Sequence, residues 1–287
     1  MRALIVVNPI AGRGRGRDTG HAVAAALGRH GVAAELHLAG ARGDTRARVA
    51  AAEGVDVVVV VGGDGTVREV LEALPPGDVA VAVVPAGTAN VLARDLGLPA
   101  DAAGAAEVIL RGRSVGLDTA RVDGRLCFLA ASVGVDALAV REVARRRRGP
   151  ITWGTWAAAL ARTLRRYRPP RLAVELDGAA LPGAFGLVIV ANCVRYAGVL
   201  RLGSDRRLDD GLFEVYLLRA AGRARLIAAV ARGLLGALPG GGCERRRARR
   251  VRVTSADPAP YQVDGDAGGE TPMTLEVGGR RYRLLVP

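Results

Sequence analysis

The first 120 residues alternate short runs of β-branched residues with alanine-rich stretches. This alternation predicts strands and helices in turn, which is typical of a parallel sheet covered by helices. The predicted strands are Ala3 to Val7, Ala33 to Leu38, Val55 to Val61 and Val79 to Val84. The predicted helices are Thr19 to Arg29, Thr45 to Ala52, Val67 to Leu74, Ala89 to Leu96 and Ala102 to Leu110.

After about residue 115 the pattern changes to short strands without regular intervening helices. Strands are predicted at Ser114 to Val122, Leu126 to Val133, Arg171 to Leu176, Phe185 to Ala191, Leu212 to Leu218, Arg250 to Thr254 and Thr274 to Val277. Two helices are predicted among them, Ile151 to Tyr167 and Arg223 to Leu235. Such a succession favours a domain built on antiparallel sheets.

The two patterns predict two domains, which fits a length of 287 residues. The first is an α/β domain with a parallel sheet over residues 1–120, and the second is a mainly antiparallel β-sandwich over residues 121–287. No proline-rich linker or repeat marks the boundary. The last predicted strand, Arg281 to Val286, can return to either domain.

Composition and charge narrow the function classes. Hydrophobic residues make up 50% and charged residues 24% of the chain, as is normal for a folded soluble protein. The 41 basic and 28 acidic side chains give a net charge of +13, and every basic residue is arginine. Because lysine is absent, a Schiff-base lysine, a Walker A lysine and the strand lysine of protein kinases are all excluded. The positive charge favours anionic partners.

Histidine and cysteine are too sparse and scattered for zinc or disulfide chemistry. The three histidines lie within the first 37 residues, and Cys127, Cys193 and Cys243 are far apart. This arrangement disfavours a serine hydrolase and indicates a reducing compartment. Neither a signal peptide nor a membrane span is evident, so we expect a soluble cytoplasmic protein. An aromatic content of 3% argues against base stacking, and hence against nucleic acid as a partner.

Three glycine-containing turns each follow a predicted strand of the first domain. They are Asn8 to Gly14, Gly62 to Thr66 and Pro85 to Asn90. Because parallel strands end at one edge of a sheet, we expect the turns to converge where open α/β sheets bind ligands. Glycines let backbone N–H groups approach phosphate oxygens, and helix N-termini add a favourable dipole. The turns therefore predict a phosphate site, although each alone is also explained as a tight connection with a capping threonine.

The second turn, Gly62-Gly63-Asp64-Gly65-Thr66, carries the strongest signal. We expect Asp64 to have little structural purpose there, because a helix cap does not need three glycines around it. The acid is therefore interpreted as functional. The glycine spacing does not match a Rossmann fingerprint.

Five motifs together resemble the catalytic domain of the diacylglycerol kinase and sphingosine kinase family, in particular its soluble bacterial lipid kinases. The three glycine turns are similar to the family's Asn-Pro-x-x-Gly, Gly-Gly-Asp-Gly-Thr and Pro-x-Gly-Thr-x-Asn segments. Leu208 to Leu212 and Val263 to Asp266 follow in order where the family has an Asp-Gly metal turn and an Asp-Gly-Glu catalytic turn. The resemblance spans nearly the whole chain. It implies a nucleotide-binding α/β domain like those of NAD kinases and diacylglycerol kinases, followed by a β-rich lipid-substrate domain.

The resemblance implies ATP and Mg²⁺ as cofactors, with ATP lying between the domains. The residues implied to face the nucleotide and its metal are Asn8, Pro9, Gly12, Thr45, Gly62, Gly63, Asp64, Gly65, Thr66, Glu69, Gly87, Thr88 and Asn90. Asp64 is also implied in catalysis. Since no lysine is present, the phosphate charge must be met by backbone N–H groups, Mg²⁺ and arginine.

Two Asp-Gly turns receive roles from the resemblance alone. Asp264 matches the family's general base, and Asp266 stands where the family usually has glutamate. Asp210, with main-chain carbonyls at Arg207 and Leu212, resembles a structural Mg²⁺ site, and oxygen ligands suit that ion. Without the family, both turns are explained as plain hairpin turns, because Asp-Gly is a strong hairpin signal.

The chain departs from the family pattern at two further positions. Arg68 stands where relatives commonly have asparagine, and Ala39 stands where some offer a threonine to the nucleotide. Thr45 is the candidate substitute for that threonine. We expect these changes to retune nucleotide affinity or preference while keeping the phosphate site.

Two arginine runs, Arg145 to Arg148 and Arg245 to Arg250, are either solvated faces or a patch that docks on an anionic membrane. The resemblance implies a peripheral lipid kinase of phospholipid metabolism, transferring the γ-phosphoryl group of ATP to a diacylglycerol-like hydroxyl at the inner face of the membrane. The alternatives are a kinase for a soluble substrate, as NAD kinase is, and a catalytically silent lipid- or nucleotide-binding protein. The sequence leaves the oligomeric state open, with a homodimer as one option.

Overall fold

The computed structural model describes residues 1–40, 43–75, 78–146, 153–197, 200–203, 207–219, 222–278 and 280–287. By contacts the chain divides into two units. The first comprises Met1–Leu117 together with Arg281–Pro287, and the second comprises Asp118–Arg280. The chain therefore leaves the first unit after Leu117 and returns to it at Arg281.

The described residues of the first unit form six strands, five helices and a 3₁₀ turn at Ala11–Gly14. Its strands are β1 Arg2–Val7, β2 Ala33–Leu38, β3 Val57–Gly62, β4 Ala80–Pro85, β5 Ser114–Leu117 and, from the end of the chain, β20 Tyr282–Leu285. Its helices are α1 Gly16–Gly28, α2 Asp44–Ala50, α3 Asp64–Ala73, α4 Val91–Leu96 and α5 Ala102–Arg111.

The second unit contains the remaining elements. Its described strands are β6 Ala120–Val122, β7 Arg125–Cys127, β8 Ala130–Val133, β9 Leu172–Leu176, β10 Ala179–Ala180, β11 Phe185–Ala191, β12 Arg195–Tyr196, β13 Leu200–Arg201, β14 Phe213–Arg219, β15 Cys243–Ala248, β16 Arg250–Ser255, β17 Pro260–Val263, β18 Asp266–Glu270 and β19 Met273–Val277. Its described helices are α6 Val135–Arg146, α7 Trp153–Arg166 and α8 Arg223–Leu234.

The sheet of the first unit has the order β2-β1-β3-β4-β20-β5. All neighbouring strands are parallel except β20 and β5, which are antiparallel. Strand β3, with its five valines, pairs with β1 on one side and β4 on the other, and all of its residues are buried. An apolar strand buried on both faces is the expected centre of a parallel sheet. It places Gly62, the last residue of β3, at the edge where β1 and β4 also end.

The larger sheet of the second unit has twelve strands among the described residues, and its neighbouring strands are antiparallel. Its main core is formed by buried valine, leucine and phenylalanine side chains, including Phe185 and Phe213. The fold class is confirmed: an α/β unit with a mostly parallel sheet is followed by an antiparallel β-rich unit.

Several details differ from the sequence prediction. The predicted strand Ser114 to Val122 is two strands that belong to different sheets, and Leu126 to Val133 is also two strands. Helix α6 was not predicted, although its buried residues recur at helical spacing. Strand β15 was also missed, because its run of arginines does not look like a strand. The start of the predicted helix Ile151 to Tyr167 lies outside the described residues.

No helix among the described residues is long and apolar enough to cross a membrane.

Candidate active site

The first two glycine turns of the first unit contact each other, and the second contacts the third. The Asn8 side-chain Nδ2 donates a hydrogen bond to Thr66 Oγ1 at 3.4 Å. A Cβ placed on Gly63 would lie 3.1 Å from the Cα of Gly87. These contacts join the ends of β1, β3 and β4, so the predicted convergence of the turns is confirmed.

The first turn also touches the third. Gly12 has a φ of +60°, which favours glycine, and a Cβ there would lie 3.3 Å from the carbonyl oxygen of Ala86. Asn8 Oδ1 accepts the N–H of Ile10 at 3.2 Å and so closes the turn around Pro9. Two residues predicted to face the nucleotide, Asn8 and Pro9, therefore shape this turn directly.

The third turn is held by its own asparagine. Asn90 Oδ1 accepts the Gly87 N–H at 2.8 Å, and Asn90 Nδ2 donates to the Gly87 carbonyl oxygen at 2.9 Å. Asn90 itself has a φ of +45°, a conformation that asparagine tolerates better than most residues. Thr88, between the two, is exposed to solvent. Asn90 thus fixes the shape of a turn that presents Thr88 at the surface.

Asp64 has a structural contact that the sequence did not reveal. Its carboxylate accepts backbone N–H groups at the start of α4, from Val91 to Oδ2 at 3.0 Å and from Leu92 to Oδ1 at 3.3 Å. The expectation that Asp64 has little structural purpose is therefore wrong, because a carboxylate at a helix N-terminus satisfies N–H groups that lack partners within the helix. Burial raises the pKa of Asp64, and these hydrogen bonds offset that rise only in part.

Gly65 has no steric reason to be glycine. It lies in the first turn of α3, outside the left-handed region, and a Cβ built there would meet nothing within 4 Å. Glycine in a helix costs about 1 kcal/mol relative to alanine. Because Gly65 has no side chain, the backbone of this turn is open to close contact with a ligand. By contrast, a Cβ on Gly62 would lie 2.6 Å from Thr66 Oγ1, so that glycine is required by packing.

Two other predicted nucleotide residues lie on helices. Glu69 is half-buried on α3. Thr45 is only 1% exposed, with its hydroxyl 3.5 Å from Asp44 Oδ1 at the start of α2. Its hydroxyl is therefore buried in this structure, and its role as the substitute for Ala39 stays a prediction.

In the second unit, Asp264 and Gly265 form a two-residue hairpin turn between β17 and β18. Val263 pairs with Asp266 across the turn, and the φ angles of Asp264 and Gly265 are +51° and +84°. Positive φ at both positions is characteristic of a type I′ turn. The plain hairpin interpretation is therefore correct for the backbone. It does not explain what the Asp264 carboxylate binds.

That carboxylate is held by a row of backbone donors. Oδ1 accepts the N–H groups of Leu129 at 2.9 Å and Ala130 at 3.0 Å, and Oδ2 accepts that of Phe128 at 3.2 Å. The Asp264 N–H in turn donates to the Ala130 carbonyl oxygen at 2.8 Å. Hydrogen bonds to a carboxylate are stronger than those between neutral groups, so these donors hold the Asp264 side chain firmly in place. Asp266, at the start of β18, is exposed.

The Asp210-Gly211 turn is built differently, because Asp210 is not in the left-handed region. Its Oδ1 accepts the N–H of Leu212 at 3.1 Å. The buried Asp118 clamps the same turn, since its Oδ2 accepts the Gly211 N–H at 2.6 Å and its N–H donates to the Leu208 carbonyl oxygen at 2.7 Å. Asp118 was missed because it lies within the predicted strand Ser114 to Val122, where its polarity was the only signal.

The Asp210 turn is also where a structural Mg²⁺ ion was predicted. Among the described residues, no group of three or more His, Cys, Asp and Glu side chains could hold a metal ion. A site at Asp210 would therefore rely on the main-chain carbonyls of Arg207 and Leu212 and on water. Such an all-oxygen set fits Mg²⁺, which commonly keeps several waters. The Arg207 guanidinium donates to Asp209 Oδ1 at 3.2 Å, so it is directed to the neighbouring acid.

Asn192, which sequence reasoning also missed, connects the two turns. Its Nδ2 donates to the Asp118 carbonyl oxygen at 2.8 Å, and its backbone N–H donates to the Leu129 carbonyl oxygen at 2.6 Å. Asn192 is fully buried. The Asp210 turn and the donor row that holds Asp264 are therefore parts of one hydrogen-bonded structure.

The first arginine run contributes to a basic cleft of about 700 Å³ between α6 and α7. The charged residues that line it are Arg141, Glu142, Arg145, Arg146, Arg162, Arg165 and Arg168. Glu142 pairs with Arg146 at 2.5 Å and with Arg162 at 3.4 Å, and Arg141 pairs with Glu270 at 2.8 Å. Since six arginines face these two acids, the cleft keeps an excess of positive charge. Arg147 and Arg148 lie outside the described residues.

The second arginine run is largely matched by acids. Arg247 and Arg245 on β15 lie 2.8 and 3.5 Å from the buried carboxylate of Glu214 on β14. Arg246, on the other face of the strand, lies 3.3 Å from Glu244. These pairs explain how an arginine-rich segment becomes a strand of the large sheet. They also make this run a weaker candidate for docking on an anionic surface than the cleft.

Two family models match the chain. Residues 2–122 match the model described as diacylglycerol kinase catalytic domain, and residues 130–286 match the YegS C-terminal NAD kinase beta sandwich-like domain. Between them the models cover both structural units and all five motifs.

Individual relatives agree with the family models. The diacylglycerol kinase of Bacillus subtilis is 28% identical over 100% of this chain and 96% of its own length. The diacylglycerol kinase of Mycobacterium tuberculosis is 30% identical over 77% of this chain and 74% of its own. A crystal structure of a diacylglycerol kinase from Bacillus anthracis has a TM-score of 0.75 at 19% identity, covering 100% of this chain and 97% of that one. At that identity the structural likeness shows the fold alone.

Proposed function

Because this chain belongs to the diacylglycerol kinase family, we propose that it is an ATP-dependent kinase that phosphorylates the hydroxyl group of a membrane lipid. Relatives named diacylglycerol kinase support diacylglycerol as the acceptor class. The observation that carries the nucleotide half of the proposal is Gly65, an open glycine on the second of three glycine turns that meet at the ends of parallel strands.

The first unit is proposed to bind the phosphates of ATP through backbone N–H groups. Helix α3 begins at Asp64, so its N-terminus lies within the second turn, whereas the first N–H groups of α4 are already bound by the Asp64 carboxylate. Helix N-termini favour anions through their exposed N–H groups and dipoles. This arrangement supplies without lysine the charge stabilisation on which phosphoryl transfer mainly depends. Thr88, exposed on the third turn, is proposed to hydrogen-bond the nucleotide.

In the second unit Asp264 is proposed to accept the proton of the lipid hydroxyl. As the hydroxyl oxygen bonds to the γ-phosphorus, the bond to the bridging oxygen breaks, ADP leaves and the proton passes to the carboxylate. The three N–H donors on Asp264 hold its carboxylate in one orientation. A weak base is sufficient here, because phosphoryl transfer proceeds through a loose transition state that needs little early proton removal. The exposed Asp266 is proposed to assist.

Mg²⁺ is proposed at two places. At the nucleotide it would neutralise phosphate charge, with Asp64 as the nearby acid. Burial raises the pKa of that carboxyl, and a cation bound beside it would favour its charged form. At the Asp210 turn a second ion would be held by that carboxylate and by the main-chain carbonyls of Arg207 and Leu212. The second ion would stabilise the turn that Asp118 already clamps.

We also propose that the protein acts at the surface of an anionic membrane, on the cytoplasmic side where ATP is available. The basic cleft between α6 and α7 supports this partner. Each arginine near an anionic surface contributes about 1 kcal/mol, and the attraction fades within a Debye length. The excess positive charge of the cleft therefore supports reversible docking of a protein in which no described helix is long and apolar enough to cross a membrane.

The test is transfer of radiolabelled γ-phosphate from ATP, with Mg²⁺, into an organic-extractable lipid panel in mixed micelles. Diacylglycerol should be labelled by the wild type and not by Asp264→Ala. Label confined to an aqueous arm containing NAD would favour a soluble acceptor, an option prompted by the NAD kinase-like second domain. Tight ATP binding with no label in either arm would contradict the kinase proposal and favour a silent binding protein.

A further inference from the structure

A buried polar cluster lies behind the Asp264-Gly265 turn in the second unit. It consists of Ser132 on β8, Asp136 on α6, Tyr196 on β12 and Gln262 on β17. Ser132, Tyr196 and Gln262 are 0%, 7% and 3% exposed. Four polar side chains placed together in an apolar interior are costly unless each finds its partners. Their hydrogen bonds therefore indicate what the cluster does.

Gln262 is the member that reaches the turn. Its Oε1 accepts the backbone N–H of Gly265 at 2.8 Å. Its Nε2 donates to Ser132 Oγ at 2.9 Å and to Tyr196 Oη at 3.1 Å. All the hydrogen-bonding capacity of the amide's two hydrogens is thus directed into the cluster, and its oxygen is directed to the turn.

The acid at the far side fixes the direction of these hydrogen bonds. The hydroxyl groups of Ser132 and Tyr196 both contact Asp136 Oδ2. If each hydroxyl donates its proton to the carboxylate, each oxygen remains able to accept one N–H of Gln262, and every contact has a donor and an acceptor. Burial and the neighbouring Asp136 raise the pKa of Tyr196 well above its ordinary value, so the phenol keeps its proton.

With that direction fixed, the amide of Gln262 has one orientation. Its NH₂ group must face the two hydroxyl oxygens, and its oxygen must face the Gly265 N–H. A flipped amide would direct an NH₂ group at an N–H donor and an oxygen at two acceptors. The cluster therefore selects the rotamer that holds Gly265, the second residue of the turn.

The same cluster is tied to the donor row that holds the Asp264 carboxylate. Gln262 and Ser132 are paired directly across β17 and β8. Strand β8 begins at Ala130, whose N–H binds Asp264 Oδ1. One buried pair, Gln262 and Ser132, therefore positions both the turn that carries the carboxylate and one of the backbone donors that orient it.

We infer that Gln262, oriented by Ser132, Tyr196 and Asp136, is a positioning residue that sets the place of the Asp264 carboxylate for proton transfer. The inference rests on the proposed function, in which Asp264 is the base. Gln262 acts only through Gly265 and does not touch substrate. Misplacement of a reacting group by about 1 Å costs about 100-fold in rate.

The test compares Gln262→Met, which keeps the side chain's size without its hydrogen bonds, and Tyr196→Phe, which removes one acceptor of the amide. Tyr167→Phe is the matched control, because Tyr167 is also a buried tyrosine of this unit and its hydroxyl donates outside the cluster, to the Gly186 carbonyl oxygen at 2.9 Å. The measurements are kcat, KM for ATP, thermal stability and amide exchange at Gly265.

We expect Gln262→Met to lower kcat about 10- to 100-fold with KM for ATP changed less than about twofold, and to speed exchange at Gly265. Tyr196→Phe should do the same to a smaller degree, whereas Tyr167→Phe should lower stability alone. If Gln262→Met does not fold, Tyr196→Phe decides the question by the same comparison.

Folded Gln262→Met and Tyr196→Phe variants with wild-type kcat, beside an inactive Asp264→Ala, would overturn the inference and leave the proposed function standing. Equal losses of kcat in Tyr196→Phe and Tyr167→Phe would reduce the cluster to a structural role. Wild-type turnover by Asp264→Ala would overturn the assignment of the base, and the positioning role with it.

Discussion

Gly63 and Gly87 approach each other so closely that a side chain on either would press against the backbone of the other. A Cβ on Gly87 would lie 2.6 Å from the Cα of Gly63 and 2.8 Å from Asn90 Oδ1. These two glycines are therefore needed for the fold of the candidate site, whatever ligand it binds. A built Cβ on Gly65 meets nothing, so a substitution of Gly65 tests for a bound ligand without disturbing the packing.

We expect Gly87→Ala to destabilise the protein by about 1–3 kcal/mol, because the new methyl group overpacks against backbone that cannot move freely. Gly63→Val should act in the same way and more strongly. Denaturant unfolding measures the effect. A Gly87→Ala variant as stable as the wild type would show that the two turns are further apart than described.

Gly65→Ala should keep or raise stability by up to about 1 kcal/mol, since alanine favours the helix, and should weaken ATP binding by covering the backbone of α3. The matched control is Gly28→Ala, because Gly28 also lies in a helix with nothing within 4 Å of a built Cβ. Calorimetric titration with ATP and thermal unfolding separate the two effects. Unchanged ATP affinity in Gly65→Ala would place the phosphates elsewhere.

Asp264→Asn should abolish phosphate transfer while ATP binding is retained. It should also destabilise the protein by about 1–3 kcal/mol, because an amide NH₂ would face one of the N–H donors of Phe128, Leu129 and Ala130. The control is Asp177→Asn, since Asp177-Gly178 is another turn with two positive φ angles. There a single oxygen, Oδ1, accepts both N–H groups at 3.0 and 2.8 Å, so an amide can replace the carboxylate. Loss of activity in both variants would argue against a base.

The buried acid of the polar cluster should make stability depend on pH. Burial raises the pKa of Asp136 above its ordinary value of 3.8. As pH rises above 3.8, the unfolded chain releases this proton first, so folding loses stability until the pH passes the raised pKa of the folded state. Asp136→Asn carries no such proton and should gain stability relative to wild type over that interval. A difference that is constant with pH, measured by urea unfolding, would contradict this account.

Charge reversal in the basic cleft should weaken membrane docking. Arg145→Glu combined with Arg168→Glu changes two exposed cleft residues, and each removed arginine should cost about 1 kcal/mol of binding to anionic vesicles. Arg283→Glu, on an exposed position of β20 in the first unit, is the control. Sedimentation with phosphatidylglycerol vesicles at low and high salt measures the effect. Because the double variant changes the net charge twice as much, a loss in Arg283→Glu that is half the loss in the double variant would indicate attraction by net charge alone.

The elements of the first unit could be predicted because their signals are local. The strand Ala33–Leu38 was predicted at its observed bounds, and the valines before Gly62 marked the central strand. The strands and helices of the second unit were harder to predict from the sequence. Charged residues conceal β15, where the buried Glu214 neutralises arginines that sequence alone assigns to solvent.

The contacts that shape the candidate site could not be read from the chain. Asp64 caps a helix that begins 27 residues later, and Asp264 is held by backbone groups about 135 residues earlier. In both cases the donors are backbone N–H groups, which every residue but proline carries, so no side-chain pattern announces them. The motifs singled out these two acids but did not show what holds them.

The path of the chain restricts the order in which this protein can be assembled. Strand β20 lies between β4 and β5 in the first sheet, and β5 pairs only with β20 among the described strands. During synthesis one edge of β4 stays unpaired until the ribosome has made the whole second unit, because β20 follows that unit in the chain. Such an edge is a template for wrong pairing. A nascent chain stalled before residue 282 would therefore carry the glycine turns but an incomplete sheet beneath them.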